Sequence, residues 1–425
     1  MKTNITFVGA GAGSGKTFHV TQEIHARLVS GSCCPNGLIA TTFTIKAAND
    51  LSERIRQKLH RTGKPLLAER LDESFIGTVD KVCKQILTRF AFEAGIPPQI
   101  EVLAEEDANL LFIQAVELTV SAKETGKLQE LADRLGQKDS QTREYAWKKT
   151  VHQMANRVRE NNFTEAAVLK MSERCCEEML SHFPAPFKND LDAQLTEAIH
   201  CALEKISKNG DSTAGTQNYC RFIEQCAADL NNGHFAWSGW VKLTKEKPLK
   251  KSEDCALPVI EAAARYDVHP RLRSDIRHYI ELVFQIATRS LASYQDLKTE
   301  RGLADFADLE QQTLALLENT PEVTSALATE LDLLVVDEFQ DTSPLQLALF
   351  LKLAQCAKEA IWVGDVKQAI YGCQPAAWML AEGSIGCSSC QACGCNSPAK
   401  SSVRKFTTNV SCSCVTAMCR IVLRS

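Results

Sequence analysis

The chain has 425 residues, of which 44% are hydrophobic and 24% charged, and its formal net charge is -4. This length allows two or three domains with a sizeable core, and the composition is that of an ordinary soluble globular protein. The small net charge excludes attraction to a polyanion through an overall positive field, so nucleic acid could be bound only by local patches. The N-terminal apolar run is too short for a signal peptide, and no run reaches the roughly 20 apolar residues of a membrane helix. We therefore predict a cytoplasmic protein without membrane contact.

The first part of the chain alternates strand and helix patterns. Three short runs have strand character: NITFVGA at 4–10, GLIATTF at 37–43 and SFIGTV at 74–79. A helical pattern follows each of them. In the second of these helices, four apolar residues recur at intervals of four and predict one buried stripe: Ala47, Leu51, Ile55 and Leu59. Strands that alternate with helices at this spacing favour βαβ units and a parallel sheet.

From about residue 105 to residue 294 the chain changes character. Charged and apolar residues mix at helical spacing there, and β-branched runs disappear. Two apolar runs of the buried parallel-strand type follow, LDLLVVDEF at 331–339 and AIWVG at 360–364. The predicted fold class is therefore α/β, with a parallel sheet that is interrupted by a mostly α-helical inserted subdomain and then resumed. The predicted segments are 1–104 and 295–372 for the sheet domain, 105–294 for the insertion and 373–425 for a tail.

A glycine-rich segment, GAGAGSGKT at 9–17, follows the first strand and opens a helix. The backbone N–H groups of such a loop can surround a phosphate, and the helix N-terminus adds partial positive charge. Lys16 would reach the β- and γ-phosphates of a nucleotide, and the Thr17 hydroxyl would bind Mg²⁺. Ala10 stands where the strict motif has glycine, and a flexible glycine turn is the disfavoured alternative. The remaining predicted phosphate-binding residues are Gly11, Ala12, Gly13, Ser14 and Gly15.

Two acidic residues end the apolar run LLVVDEFQDTSP at 333–344. Asp337 at the strand end would hold Mg²⁺. Glu338 would orient and deprotonate the water that attacks the γ-phosphate. Two acids after a strand are weak evidence alone, because a capped strand end looks the same. Together with the phosphate loop they predict a site that binds and hydrolyses ATP with Mg²⁺.

Six motifs occur in the order found in a known family. They are AGAGSGKT, IATTFTIKAANDLSERI, IGTVDKVC, LADFADLEQQTLALL, VVDEFQDTSPLQ and VGDVKQAIYG. In these motifs, over about residues 1–372, the chain resembles the ATP-binding half of UvrD/Rep/AddA-type superfamily 1 DNA helicases. The resemblance implies a P-loop RecA-like sheet with a helical insertion. No glutamine motif precedes the phosphate loop, so the AddA/RecB-like branch is the more similar one.

The resemblance also implies roles for individual residues. Gln340 would lie next to the hydrolytic site, and Gln368 would sense the γ-phosphate and couple it to the DNA track. Thr42, Phe43 and Thr44 would contact the single-strand backbone, and Tyr371 would lie near the bases, as suits sequence-independent binding. Without the motif context, ordinary core packing would be favoured for Phe43 and Tyr371. The positions that match the return from the insertion are Asp305, Phe306 and Asp308.

The chain departs from the family pattern after the third strand. The family has Gly-Thr-x-His there, whereas this chain has Gly-Thr-Val-Asp at 77–80. A carboxylate at Asp80 would repel phosphate, which puts that DNA contact in doubt. Basic residues could compensate, although such runs are more often solvated faces: Arg54, Arg56 and Lys58, and Lys245, Lys247, Lys250 and Lys251.

The activity that the resemblance implies is ATP-dependent 3′-to-5′ translocation on single-stranded DNA, with unwinding at duplex junctions, in DNA repair or recombination. A nuclease or a second helicase subunit would be its protein partner. The alternative is a module that binds ATP and DNA without unwinding, because the second RecA-like domain of the family is missing from these residues.

Eight of the 18 cysteines lie beyond residue 372, in a segment with a single acid, Glu382. The periodicity of this tail fits neither helix nor strand. The favoured interpretation is a frameshift near codon 373. A thiolate metal site built on the Cys-x-x-Cys spacing between Cys387 and Cys395 is one alternative, and a lineage-specific tail is the other.

Overall fold

The structure is a computed structural model that describes residues 5–9, 16–138 and 144–364. Within these residues, five strands form a parallel sheet in the order β1-β7-β6-β2-β3. Their bounds are β1 Ile5–Gly9, β2 Leu38–Thr42, β3 Phe75–Thr78, β6 Leu333–Val336 and β7 Glu359–Gly364. The strands that follow the insertion therefore lie between β1 and β2. The predicted α/β class, with an interrupted and resumed sheet, is confirmed.

Both faces of this sheet are buried, because successive side chains of a strand point to opposite sides. On one face, the apolar cluster contains the strand residues Ile39, Leu334 and Trp362. Buried residues of the helices at 79–89 and 344–356 pack in the same cluster. Leu38 and Leu333 belong to the cluster on the other face, with residues from the first two helices. Burial on both faces explains why these strands read as nearly continuous apolar runs.

Helices connect the strands of the sheet and cover it. Those before residue 105 are α1 Lys16–Ser30, α2 Ile45–Arg61, α3 Pro65–Glu69, α4 Val79–Arg89 and α5 Ala91–Ala94. Those after residue 302 are α15 Phe306–Asn319, α16 Pro321–Glu330 and α17 Pro344–Cys356. In α2 the buried residues are Ala48, Leu51, Ile55 and Leu59, so the prediction for Ala47 was wrong. A helical repeat of 3.6 residues moves a strict spacing of four off the buried face, and Ala48 takes the place of Ala47.

A second, two-stranded parallel sheet was not predicted. It consists of β4 Glu101–Val102 and β5 Leu303–Ala304. The Leu103 N–H extends this pairing by donating to the Ala304 carbonyl at 2.8 Å. The chain before the insertion is thus hydrogen-bonded to the chain after it, which fixes where the two ends of the insertion meet.

The described residues form two compact units. The first comprises residues up to 111, the short segment 158–162 and the residues from 295 onward. The second comprises 112–157 and 163–294. The sequence analysis predicted that the insertion starts at residue 105. It did not predict that residues 158–162 belong to the first unit, which contains the five-stranded sheet and is called the sheet unit below.

Nine α-helices lie wholly or mainly in the described part of the second unit, and the residues of three of them are divided between the two units. Their bounds are α6 Glu105–Thr119, α7 Ala122–Leu135, α8 Trp147–Glu160, α9 Glu165–Ser181, α10 Leu191–Lys208, α11 Ala214–Asn231, α12 Trp237–Leu243, α13 Leu257–Ala263 and α14 Pro270–Arg301. Asp275 is buried in this unit and accepts hydrogen bonds from Arg134, at 2.6 and 2.9 Å, and from the Trp237 indole at 3.0 Å. Within the described ranges, no helix is long and apolar enough to cross a membrane.

Candidate active site

Three of the predicted site residues, Lys16, Asp337 and Glu338, meet at the carboxyl end of the sheet. Lys16 begins α1, which follows β1, and Asp337 and Glu338 follow β6. The carboxyl ends of parallel strands form one edge of a sheet, where ligands of open α/β folds commonly bind. Of the predicted phosphate loop, Lys16 and Thr17 are described, whereas residues 11–15 lie outside the described residues.

Among the described residues, Lys16 and Gln340 donate hydrogen bonds to Glu338. The Lys16 Nζ atom lies 2.7 Å from Glu338 Oε2, and the Gln340 Nε2 atom lies 2.6 Å from the same oxygen. The side chain of Lys16 is 11% exposed and that of Glu338 is 36% exposed, so the pair is shielded without being sealed from water. A carboxylate with this access can take a proton from a nearby water molecule while its orientation stays fixed.

The backbone at Glu338 adopts a left-handed conformation, with φ of 53°. This region is uncommon for residues other than glycine and costs of order 1–3 kcal/mol. The N–H of Glu338 donates to Asp337 Oδ1 at 3.0 Å, and Gln340 binds the Glu338 carboxylate from two residues further along. The strained turn brings the Glu338 side chain to Lys16, although the two residues are far apart in the sequence.

Negative charge is concentrated around Asp337. Its N–H donates to the Thr41 carbonyl at 2.9 Å, which fixes the residue directly beyond β6. Burial, followed by the nearby Glu338 carboxylate, raises the pKa of Asp337. The same two causes raise the pKa of Asp341, whose Oδ2 accepts from Gln340 Nε2 at 3.2 Å. These carboxylates disfavour each other's ionisation, and a hard cation bound by Asp337 would relieve that repulsion.

The predicted DNA-contacting residues at the end of β2 differ in their surroundings. Thr42 is 2% exposed, and its hydroxyl donates to the Thr44 carbonyl at 3.0 Å. The Thr44 hydroxyl accepts from the Ala47 N–H at 3.1 Å and caps α2. Phe43 is 56% exposed, so the core-packing interpretation is wrong for this residue. Gln368 and Tyr371 lie outside the described residues.

The chain's departure from the family pattern, Asp80, lies at the start of α4 and is partly buried. Burial raises the pKa of Asp80 to about 6. Basic residues of both runs offered as compensation have partners within the protein. Arg56 donates to Asp72 at 2.7 Å, and Lys58 donates to Gln22. Lys247 likewise pairs with Glu253 at 3.3 Å, which favours the interpretation of these runs as solvated or internally paired faces.

Asp305 and Asp308 form a buried ionic cluster that sequence analysis did not find. Each carboxylate accepts from the ammonium of Lys298 and from the guanidinium of Arg159. Lys298 is fully buried. Asp305 and Asp308 also cap α15 reciprocally. The cluster joins the end of α14, the returning segment 158–162 and α15, all within the first unit.

A sequence model of the UvrD/REP helicase N-terminal domain matches residues 2–145 and 125–380. The chain belongs to this family. The match includes Lys16, Asp337 and Glu338, and it covers the residues of both compact units up to residue 380. The assignment makes the chain a helicase-family ATP-binding domain and confirms the resemblance that the six motifs indicated.

Curated proteins similar to the chain are named as subunits of an ATP-dependent helicase/nuclease. One from Natranaerobius thermophilus is 24% identical in an alignment of 420 positions, which covers 86% of this chain and 32% of the relative. One from Streptococcus mutans is 24% identical in an alignment of 411 positions, which covers 87% of this chain and 34% of the relative. One from Lactobacillus johnsonii is 24% identical in an alignment of 436 positions, which covers 86% of this chain and 34% of the relative. The chain spans about a third of the length of these relatives.

The described residues contain no group of three or more His, Cys, Asp or Glu side chains arranged to hold a metal ion. This does not conflict with the predicted Mg²⁺ site, because Mg²⁺ is commonly held by one or two carboxylates together with substrate phosphates. The predicted cysteine-rich tail lies outside the described residues.

Proposed function

We propose that the chain binds and hydrolyses ATP as the motor domain of a DNA helicase that moves 3′-to-5′ along single-stranded DNA. The observation that carries this proposal is the contact of Lys16 and Gln340 with one oxygen of Glu338. A phosphate-binding lysine, a candidate base and an orienting amide are the parts that hydrolysis of a γ-phosphate requires.

The proposed chemistry assigns one task to each side chain. Lys16 binds the β- and γ-phosphates, which compete with Glu338 for its ammonium group. Glu338, still held by Gln340, orients the attacking water and accepts its proton. Asp337 and the Thr17 hydroxyl would hold Mg²⁺, which when bound neutralises phosphate charge. The expected roles of residues 11–15 and Gln368 in phosphate binding and sensing belong to the same proposal.

The DNA track is proposed to run past the end of β2. The exposed ring of Phe43 supports this, because single-stranded nucleic acids bind by stacking their bases on aromatic side chains. The hydroxyl groups of Thr42 and Thr44 are used within the protein, so these residues would shape the loop that presents Phe43. Tyr371 keeps its predicted place near the bases.

The proposed setting is DNA repair or recombination, with single-stranded DNA and duplex junctions as substrates. The relatives are named as subunits of a helicase/nuclease, which supports the prediction that the protein partner is a nuclease or a second helicase subunit. The cytoplasmic location stays a prediction.

The test is ATP turnover by the purified chain with and without single-stranded oligothymidine. Turnover that rises with the DNA and is lost in Lys16→Ala supports the proposal. Lys208→Ala is the matched control, because Lys208 lies in the second unit and its side chain is 79% exposed. Its turnover should equal that of the unmodified chain.

The second candidate function is a module that binds ATP and DNA without unwinding. The described residues supply a lysine placed for phosphate binding, Lys16, and an exposed aromatic ring, Phe43, which are the parts that such a module requires. Binding of a fluorescent ATP analogue without any turnover, or turnover without strand separation on a forked duplex, would support the module over the helicase.

A further inference from the structure

Gly364 ends β7 next to the proposed catalytic residues. A Cβ atom placed on Gly364 would lie 2.7 Å from Gln340 Oε1, 3.2 Å from the Gln340 backbone nitrogen and 3.4 Å from the Phe339 Cβ atom. The first of these distances is far below the separation at which non-bonded heavy atoms attract, about 3.5–4.0 Å between carbons. The Gln340 side chain therefore occupies the space that a side chain at position 364 would need.

The backbone conformation does not explain this glycine. Gly364 is not among the described glycines with positive φ, and it pairs with Gly9 in regular parallel register. An L-residue could adopt the backbone conformation of Gly364 without strain. The requirement for glycine comes from the close approach of Gln340.

The backbone of residues 339–340 cannot easily retreat from β7. The ring of Phe339 stacks on that of Trp362, two residues before Gly364, with ring centroids 4.6 Å apart. Phe7 packs edge-on against both rings. A side chain added at Gly364 would consequently displace the flexible end of Gln340 rather than the turn that carries it.

Displacement of the Gln340 amide would change the hydrogen bonding of Glu338, the candidate base. Gln340 is 3% exposed, and its Nε2 donates to Glu338 Oε2 at 2.6 Å and to Asp341 Oδ2 at 3.2 Å. We infer that Gly364 is a positioning residue for the proposed hydrolysis, since the space it leaves open seats the Gln340 amide and thereby orients the Glu338 carboxylate. This inference rests on the proposed function.

The experiment compares Gly364→Ala, Gln340→Ala and the double variant in the full chain, with DNA-stimulated ATP turnover as the readout. Gly364→Ala should lower kcat at least about tenfold, because a misplacement of about 1 Å can cost 10²-fold in rate. KM and the Kd for a fluorescent ATP analogue should change less than about threefold, since the Lys16 contact to phosphate is retained. The double variant should be no slower than Gln340→Ala, because the atom that clashes has been removed.

Gly126→Ala is the matched control. Gly126 lies in α7, has no positive φ, and a Cβ placed there meets no heavy atom within 4 Å. Its kcat should equal that of the unmodified chain. If the double variant shows the product of the two single losses, or if Gly364→Ala lowers nucleotide affinity as much as kcat, the inference is overturned.

A second readout separates this inference from the proposed function. The side-chain amide signal of Gln340 in a ¹H–¹⁵N spectrum is identified by its loss in Gln340→Ala. That signal should shift in Gly364→Ala and stay in place in Gly126→Ala, even if the unmodified chain shows no ATP turnover. An unmoved signal overturns the inference whatever the turnover. If Gly364→Ala fails to fold, recovery of folding in the double variant supports the inference, and failure of both overturns it.

Discussion

Lys16 and Glu338 are 322 positions apart in the chain, yet the Lys16 ammonium lies 2.7 Å from a carboxylate oxygen of Glu338. The contact exists because β1 and β6 each lie beside β7, so the segments that follow them reach the same edge of the sheet. The same carboxylate oxygen also accepts from Gln340, at 2.6 Å. Bound phosphate would draw Lys16 away, while Gln340 would keep the carboxylate in place.

Replacement of Glu338 by Gln tests its role as the base. The amide keeps the size of the side chain but cannot accept the proton, so we expect turnover to fall by about 10²–10⁴-fold. Binding of a fluorescent ATP analogue should persist, because Lys16 no longer faces a competing carboxylate. Steady-state turnover and equilibrium binding measure the two effects. Glu318→Gln, an exposed residue of α15, is the control and should behave as the unmodified chain.

Replacement of Phe43 by Ala tests the proposed DNA track. Stacking of one base on an aromatic ring is worth about 1–3 kcal/mol, so affinity for oligothymidine should fall about 5- to 150-fold. Turnover without DNA should not change. Phe92→Ala is the matched control, because Phe92 is 92% exposed and lies on α5. Fluorescence anisotropy of labelled oligothymidine gives the affinities, and equal losses in the two variants would contradict the proposed track.

The buried carboxyl group of Glu310 should make the free energy of unfolding depend on pH. Burial, followed by the nearby carboxylates of Asp80 and Glu160, raises the pKa of Glu310 to about 7, against the opposing hydrogen bond from Gln346 at 2.6 Å. The folded chain then binds more protons than the unfolded chain between about pH 4.5 and pH 7, so this group makes stability fall as pH rises through that window.

Glu310→Gln removes this titration while Gln346 can still donate to the remaining oxygen. At pH 8 we expect the variant to be more stable than the unmodified chain, by up to about 3 kcal/mol, and at pH 4 the two should be nearly equal. Urea unfolding at the two pH values measures the difference. A stability difference that is independent of pH would contradict the prediction, and Glu318→Gln provides the comparison on the same helix.

The buried cluster of Lys298 with Asp305 and Asp308 predicts a large loss of stability on removal of one partner. Lys298→Met keeps most of the length of the side chain but removes the ammonium group that both buried carboxylates contact. We expect a loss of about 3–5 kcal/mol in the free energy of unfolding, measured by urea titration.

The control for the cluster is a surface ion pair, Lys127 with Glu130 at 3.0 Å, where the lysine is 46% exposed. Lys127→Met should cost less than about 1 kcal/mol. If Lys298→Met cost no more than Lys127→Met, the cluster would not stabilise the junction between α14 and α15.

The sequence was sufficient for the α/β class and for the family, and it predicted the residues of the candidate site. Apolar runs such as 333–336 predict buried parallel strands because both of their faces are covered. The pairing of a glycine-rich loop and Lys16 with Asp337 and Glu338 follows from the chemistry of phosphate binding, which admits few residue types. The family match over residues 2–380 is consistent with both.

Other features depended on the packing of distant segments. The buried position of Lys298 could not be foreseen, because a lysine in a charged helical pattern normally reads as a solvated residue. No local sequence pattern indicates that residues 158–162 pack in the sheet unit. Phe43 illustrates the same limit, since an aromatic residue after a strand is by pattern alone assigned to the core, and only the structure shows that its ring is exposed.

What the sequence by itself determined about this protein is its family and its fold class, and it predicted the residue types of one site, because these follow from local periodicity and from motifs whose chemistry is restrictive. Only the tertiary structure decided which side chains share a partner. Lys16 meets Glu338, Gln340 fills the space at Gly364 and Lys298 lies between two aspartates, because the strand order and helix packing place residues from distant parts of the chain together. Distances of this kind have no counterpart in the spacing of residues along the chain.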